Sequence, residues 1–222
     1  MAAFLANVGV NAAHAARSPL FDDGTFALLP IPERGEWRPP MLRLRDLPHL
    51  HIHAPSSWSD RAVHLDPDLT SGIPTYGDNC RRAGRAFSLR GARPGDLIVF
   101  LARLQPLAAA PSFHLVGCLW VAGAIEDVTQ DPGAGWWEAN AHVRRARATQ
   151  TWDSFWVFRG DDGSRLLDRA IPFNREETER VFGEGCHWPC HRTELQTIGS
   201  YTRAVRRIEG AGEEWLRTIC QS

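Results

Sequence analysis

Two apolar runs in the middle of the chain are long enough to be buried strands. Residues 97–102 follow a turn at Gly95 and Asp96, and residues 113–125 form a longer run that contains Gly117 and Gly123. A continuous apolar run bounded by turn residues is typical of a strand buried on both faces. Glycine inside a strand indicates a bulge. We therefore predict two central strands, with bulges at these glycines.

Shorter segments complete the predicted architecture. Apolar stretches predict further strands at residues 4–10, 25–29, 154–158 and 170–173, and helical spacing predicts helices at residues 136–147, 175–182, 194–207 and 213–220. Residues 34–75 are rich in Pro and His and predict a long irregular excursion. We expect a single domain over residues 1–222 with a helical C-terminal part at 175–222. We expect its class to be α+β, with a bent mixed sheet or a small barrel-like core and flanking helices.

Composition excludes several classes of protein. The chain has 222 residues, of which 43% are hydrophobic and 23% charged, which excludes a disordered or collagen-like chain. Its apolar runs are far shorter than the ~20 residues of a membrane-spanning helix. Residues 1–10 lack a basic segment, and Asn7 interrupts their apolar run, which argues against a signal peptide. Five Cys is an odd number that suits a reduced compartment. We predict a cytoplasmic protein without a membrane partner.

The positive charge is unevenly distributed. The formal net charge is −1, which argues against a general nucleic-acid coat protein, and all 25 basic residues are Arg. Six of them lie between Arg81 and Arg103 against the single acid Asp96, and a second group contains Arg144 and Arg145. Such clusters permit a phosphate-binding face on a nearly neutral protein, although Arg-rich helix faces are also often simply solvated.

Polar residues near the N-terminus form a first candidate site. Asn7 and Asn11 flank the end of the first predicted strand, and Ser18 and the Asp22-Asp23-Gly24 turn follow in a polar loop. One interpretation is an amide pair that recognises a ligand beside a carboxylate that performs acid–base or charge-stabilising work. The alternative is structural, with the Asn side chains capping backbone groups and the two aspartates forming an Asx turn.

Two further groups carry candidate binding residues. Tyr76 and Asp78 open the Arg-rich segment and suit base stacking and phosphate binding, or else form a turn packed by a Tyr. Asn140 and Arg144 are spaced i and i+4 around His142 and predict one helix face, which is either functional or solvated.

Metal binding is a minor interpretation of two other segments. Cys186 and Cys190 with His191 resemble part of a zinc site, for which Cys80 would be a remote fourth ligand, but structural zinc sites usually show two pairs of ligands. A loop holding buried thiols is the alternative. Alternating histidines at positions 49, 51 and 53 would share one face of a strand. We predict neither a metal nor a cofactor.

Several segments together resemble the nucleotide-modification-associated domain family. The resemblance is carried by Asn7-Val-Gly-Val-Asn11, Arg17-Ser-Pro-Leu-Phe-Asp-Asp-Gly-Thr-Phe26, Pro30-Ile-Pro-Glu33, Thr75-Tyr-Gly-Asp78, Gly95-Asp-Leu-Ile-Val-Phe100 and Asn140-Ala-His142. Such proteins accompany systems that make, recognise or attack modified DNA bases in phages and bacteria. A related activity in that setting is a DNA glycosylase that removes glucosylated hydroxymethylcytosine from phage DNA.

The resemblance implies roles for individual residues. Asp23 is the first candidate for the carboxylate that stabilises an oxocarbenium-like sugar, with Asp22 and Asp78 as alternatives. A flipped base would be held by Asn7, Asn11, Tyr76 and Trp136. The sugar carried by a glucosylated base would be held by Ser18, Asn140 and His142. Flanking phosphates would be held by the following residues: Arg81, Arg82, Arg85, Arg144 and Arg145.

The resemblance therefore favours a DNA glycosylase that acts on modified bases in phage defence and has DNA carrying such bases as its partner. Two alternatives remain: a non-catalytic reader of modified bases, and an enzyme acting on free modified nucleotides. The reader would retain modified DNA without creating alkali-labile sites. The third class would bind duplex DNA weakly and with little salt dependence.

Overall fold

A mixed eight-stranded sheet organises the computed structural model, which describes residues 1–183 and 185–221. The strands of the described residues are, in chain order, β1 (Ala3–Val8), β2 (Ser18–Leu20), β3 (Ile31–Pro32), β4 (Leu42–Arg43), β5 (Ala62–His64), β6 (Thr75–Asp78), β7 (Leu97–Pro106), β8 (Ser112–Val128), β9 (Phe155–Gly160), β10 (Arg165–Pro172) and β11 (Arg206–Ile208). The main sheet has the order β11-β1-β7-β8-β9-β6, with β10 paired to β8 and β2 paired to β7. β1 and β2 run parallel to β7, and the other pairs are antiparallel.

The predicted α+β class is confirmed, and its sheet is open rather than a closed barrel. In the described part of the chain, β11 and β6 end the main path of strands, while β3, β5 and β4 form a separate small sheet. The assignment of the whole chain to one domain stays a prediction.

Helices flank the sheet. They are α1 (Pro48–His51), α2 (Ala141–Thr149), α3 (Arg175–Phe182), α4 (Glu194–Tyr201) and α5 (Ala211–Gln221). Short 3₁₀ turns cover Leu44–Asp46, Ser56–Trp58, Phe87–Gly91 and Trp136–Ala139. Asn140, Asn174 and Thr193 begin α2, α3 and α4 as N-caps, each accepting a hydrogen bond from a backbone N–H two or three residues ahead. Among the described helices, none is long and apolar enough to cross a membrane.

The two faces of the main sheet are buried against different layers. In β7, Leu97 and Val99 pack in the apolar cluster that contains residues of α3, α4 and α5. Ile98 and Phe100 point to the opposite cluster, which includes residues of the 80–92 segment. Because successive side chains of a strand point to opposite faces, burial on both sides requires the unbroken apolar run seen in the sequence.

The bulges predicted at the two glycines are confirmed. The pairing of β7 with β8 shifts where Phe100 pairs with Gly117 and Leu101 with Leu115. The pairing of β8 with β9 shifts between Val121 and Gly123. Extra residues on one strand of a pair bend that strand and increase its twist.

Other predicted elements differ from the structure. Residues 25–29 were expected to form a strand but make only an isolated bridge between Leu20 and Phe26, and Leu29 donates its backbone N–H to the Ser18 hydroxyl instead of to a ladder. The helix expected at 194–207 ends at Tyr201, because the following chain pairs with the edge of β1 as β11. The helix expected at 136–147 is a 3₁₀ turn followed by α2.

The excursion at 34–75 and the C-terminal part also hold structure that the sequence did not predict. The excursion contains β4, β5 and α1, and His49 and His51 lie in α1 rather than on one face of a strand. The expected helical part at 175–222 contains the strand β11 as well as three helices. Glu184 and Ser222, which that range includes, lie outside the described residues.

Candidate active site

A cavity of about 670 Å³ is lined by the end of β1, by β6, and by residues of α2 and α4. Its polar wall combines the carboxylates of Glu33, Asp66 and Asp78 with Arg side chains. The arginines are Arg85, Arg103, Arg145 and Arg203. Ligand sites of proteins span about 300–1,000 Å³, so this cavity has room for a ligand of nucleotide size.

Asp78 lies at the end of β6 and is held by three donors. The Tyr76 hydroxyl donates to its Oδ2 at 2.6 Å, and Arg85 Nε donates to the same oxygen at 3.0 Å. The backbone N–H of Asn79 donates to Oδ1 at 2.8 Å. Burial raises the pKa of Tyr76, and the negative charge of Asp78 raises it further, so the phenol remains a proton donor. The carboxylate is thereby fixed in position at the cavity wall.

Arg85 joins this carboxylate to the first strand. Its Nη2 donates to the backbone carbonyl of Asn7 at 2.8 Å while Nε contacts Asp78. The side chain of Asn7 in turn lies 3.5 Å from the Thr202 hydroxyl, just after α4. The cavity wall therefore connects residues from both ends of the chain.

A second polar cluster contains Glu33, His64, Asp66 and His142. His64 Nδ1 lies 2.9 Å from Glu33 Oε1, and His64 Nε2 lies 3.8 Å from Asp66 Oδ2. His142 Nε2 lies 3.3 Å from the same Asp66 oxygen. The backbone N–H of Gly77 donates to both Asp66 oxygens at 3.0 Å. The two imidazoles therefore converge on one carboxylate oxygen.

The charges within this cluster depend on one another. Burial lowers the pKa of His64, but hydrogen bonds and charges from Asp66 and Glu33 outweigh it and raise the pKa to about 9. Burial and the positive charge of His64 hold the pKa of His142 below its usual value. Burial raises the pKa of Asp66, yet hydrogen bonds from His142 and His64 outweigh it, so the net shift is downward. Without a ligand, His64 is therefore the charged imidazole and His142 the neutral one at neutral pH.

The local sequence explains how close these groups lie. Asn140 is fully buried, caps α2 by accepting from the backbone N–H of His142 at 3.0 Å, and donates to the Thr75 hydroxyl at 3.2 Å. Gly77 leaves space for the His142 ring, since a Cβ there would lie 2.5 Å from His142 Cδ2. The cap and the glycine together place His142 beside Asp66.

Arg103, on β7, has a buried polar atom without a partner. Its Nε makes no hydrogen bond within the described chain although it is shielded from solvent, and the residue lines the cavity. Burial, followed by repulsion from Arg17, lowers the pKa of Arg103. A guanidinium without an anion in such a place suits a phosphate or carboxylate group of a ligand.

The structure brings together a large part of the predicted site. The predicted residues that line the cavity are Asn7, Asn11, Tyr76, Asp78, Arg85, His142 and Arg145. They come from three separate segments of the chain. Arg85 differs from its predicted role, because it is paired with Asp78 rather than available to an outside phosphate.

The N-terminal acids are not brought to the cavity. Asp22 and Asp23 are exposed and are not among its lining residues. Asp23 Oδ1 accepts from the backbone N–H of Thr25 at 2.9 Å and from its hydroxyl at 2.6 Å, and these bonds lower the pKa of Asp23. This is the Asx turn of the structural alternative. The first-choice acid therefore has a local structural partner and lies away from the concave site.

Other predicted binding residues also lie outside the cavity lining. Ser18 is buried and accepts from the Leu29 backbone, and Asn140 is the buried cap of α2. Trp136 packs with the cluster under α2, and Arg144 is half-buried beside a smaller cavity. Arg81 and Arg82 are exposed near Arg85, and in the described part of the chain neither has an ion-pair partner.

The segments considered for zinc do not form a metal cluster in the described residues. Cys186 is half-buried and Cys190 exposed, and Cys80 is buried elsewhere. The group of His, Cys, Asp or Glu residues whose donor atoms all lie within 4.8 Å of one another is His64, Asp66 and His142.

Comparison with known proteins identifies the family. The family model of nucleotide modification associated domain 3 matches residues 3–213. The chain belongs to this family. The resemblance seen in the sequence is thereby confirmed for the family, and no curated protein and no solved structure matches the chain.

Sequence reasoning gave no role to several residues of the site. His64 is the last residue of β5 and Asp66 follows it two positions later, which places both side chains on one side of the extended chain. This spacing was available in the sequence. Glu33 appeared only within a motif of the resemblance, and Arg103 only as one member of a basic cluster. Their convergence depends on contacts between distant segments.

Proposed function

We propose that this chain hydrolyses the N-glycosidic bond of a modified nucleotide carried in DNA, with Asp78 as the catalytic carboxylate. The observation that carries the proposal is the position of Asp78. Its carboxylate lies at the wall of a cavity of about 670 Å³, where Arg85 and the Tyr76 hydroxyl donate hydrogen bonds to it. Membership in a family associated with nucleotide modification supports a modified nucleotide as the substrate.

The reaction needs a negative charge close to the sugar. As the bond between C1′ and the base breaks, its electron pair leaves with the base and the sugar becomes oxocarbenium-like. A carboxylate beside the ring stabilises that positive charge, and a water molecule then forms the new C1′–O bond. The water gives one proton to the departing base and keeps the other in the new hydroxyl. Asp78 supplies the stabilising charge in this scheme.

The remaining groups of the cavity suit recognition of the nucleotide. The amides of Asn7 and Asn11 offer donors and acceptors for the edge of a base. A base in duplex DNA must leave the stack to enter a cavity of this kind. Arg81 and Arg82 are exposed beside Arg85 and suit the flanking phosphates. A role in the cytoplasm, in defence against phage DNA with modified bases, is part of the same proposal.

A second candidate is an enzyme that acts on a free modified nucleotide. Arg103 favours it, because its guanidinium lines the cavity without an ion-pair partner among the described residues and can hold the phosphate of a single bound nucleotide. In this second candidate function Asp78 has the same role as in the first, but the base is released from a free nucleotide and not from DNA.

One assay separates these candidates. The purified chain is incubated with a duplex containing glucosylated hydroxymethylcytosine, with the same duplex containing cytosine, and with the corresponding free nucleotide. Hot alkali then reveals abasic sites, and chromatography reveals released base. Alkali-labile sites in the modified duplex alone support the DNA glycosylase. Base release from the free nucleotide alone supports the second candidate. Retention of modified DNA without base release contradicts both and favours a non-catalytic reader.

A further inference from the structure

The cluster at the cavity wall has the donor geometry of a metal site. His142 Nε2 and His64 Nε2 lie 3.3 Å and 3.8 Å from Asp66 Oδ2, and the three donor atoms lie within 4.8 Å of one another. Ligand atoms about 2.1 Å from one ion at near-tetrahedral angles are themselves about 3.4 Å apart. The 3.8 Å separation between His64 Nε2 and Asp66 Oδ2 exceeds hydrogen-bond range. A small rotation of the His64 ring would bring its Nε2 closer to an ion shared with Asp66 and His142.

The surroundings of the cluster orient these donors. Glu33 Oε1 lies 2.9 Å from His64 Nδ1, which leaves Nε2 directed to the cluster. The Gly77 backbone N–H holds Asp66, and the His142 ring is held between its edge contact with His64 and its stacking on Phe155. A carboxylate on the far nitrogen of a metal-bound imidazole is a common feature of metal sites and tunes the affinity.

The three residues also line the cavity, so a bound ion would have an open position facing it. Catalytic zinc sites have three protein ligands and one open position, whereas structural sites are closed by four. We propose that His64, Asp66 and His142 bind one divalent first-row transition-metal ion, with Glu33 as the residue that positions His64.

The donor set selects the class of ion. Imidazole nitrogen suits zinc, cobalt, iron or nickel, whereas magnesium and calcium prefer oxygen ligands. When bound, such an ion lowers the pKa of a coordinated water molecule and so supplies a nucleophile at neutral pH. The binding proposal stands on the cluster alone and does not depend on the identity of the substrate.

Cobalt titration of the full chain tests the proposal. The chain is stripped with chelator, dialysed and titrated with CoCl₂, with absorbance in the visible region and calorimetry as readouts. We expect one Co²⁺ per chain with visible d–d bands, displaced by an equimolar amount of Zn²⁺ but not by excess Mg²⁺. The titration contains no nucleic-acid substrate. A chain that binds no Co²⁺ and a chain that releases no base are therefore two separate results.

Variants assign the ligands. His142→Ala should abolish the visible bands, and Glu33→Gln should weaken Co²⁺ binding by about 10–100-fold. His49→Ala, which removes a histidine outside the cluster, should bind as the wild type does. If circular dichroism shows that His142→Ala does not fold, the Co²⁺ affinity of Glu33→Gln decides whether the proposal holds. Absence of Co²⁺ binding, a thiolate charge-transfer band from Cys186 or Cys190, or unchanged affinity in Glu33→Gln would overturn the proposal.

Discussion

Gly77→Ala is expected to disrupt the candidate site directly. A Cβ at this position would lie 2.5 Å from His142 Cδ2 and 2.9 Å from Asn140 Oδ1. Well-packed carbon atoms lie about 3.5–4.0 Å apart, so the imidazole has to move by roughly 1 Å. Gly77 is not in the left-handed region of backbone conformation, and the effect therefore arises from the clash and not from backbone strain.

The displacement acts on the contact between His142 and Asp66. Their Nε2 and Oδ2 atoms are 3.3 Å apart, and a shift of that size takes the pair out of contact. Added volume in a packed site costs about 1–3 kcal/mol. We expect the free energy of unfolding of Gly77→Ala to fall by this amount.

Gly123→Ala is the matched control. Gly123 lies in β8 and has no positive φ, and a Cβ added there would meet no heavy atom of the described residues within 4 Å. Alanine at this position reduces the freedom of the unfolded chain and is expected to change stability by less than about 1 kcal/mol. Urea unfolding followed by Trp fluorescence measures both variants, and NMR of the histidine rings follows His142. Equal stability of the two variants, with unchanged His142 signals in Gly77→Ala, would refute the reasoning.

Three further predictions concern residues around the site. Asn140→Ala removes the N-cap of α2 and should cost about 1–2 kcal/mol in thermal unfolding, whereas Asn140→Ser, which keeps a capping oxygen, should cost less. Ser18→Ala leaves the buried Leu29 N–H without its acceptor and should cost about 1–3 kcal/mol in urea unfolding without changing base release. Cys190 is exposed and should react with iodoacetamide in the folded chain, while Cys80, whose pKa is raised by burial, should react only after unfolding, as mass spectrometry will show.

The central strands of the sheet were largely predictable because the hydrophobic pattern that specifies them is local in the sequence. Burial on both faces requires the continuous apolar runs that form β7 and the part of β8 up to Val121, and Gly117 and Gly123 indicated the bulges in β8. The short strands were not predictable in this way. β11 forms where the chain after α4 meets the free edge of β1. Its three residues are too few to show a hydrophobic periodicity that would predict this pairing.

The candidate site was only partly predictable because it depends on contacts over long separations. Asp78 was recognised as a candidate and reaches the cavity. Tyr76 was predicted to stack on a base, and that role is wrong, because the side chain is only 2% exposed, its ring packs against Phe100 and its hydroxyl donates to Asp78. Asp23 also lies in a polar turn, but its hydrogen bonds to Thr25 satisfy it locally. A sequence shows that a carboxylate is present, and only the fold shows whether its partners are local or distant. His142 and Asp66 meet across a long stretch of the chain because Gly77 and the cap at Asn140 allow it.

Base release by two matched aspartate variants tests the central claim most directly. Single-turnover release from DNA carrying glucosylated hydroxymethylcytosine is measured for the wild type, Asp78→Asn and Asp23→Asn, after circular dichroism shows that both variants fold. The account predicts that Asp78→Asn slows release by at least about 100-fold and that Asp23→Asn releases base at the wild-type rate. Release that survives in Asp78→Asn, or that is lost in Asp23→Asn, would contradict it, as would a wild-type chain that releases no base.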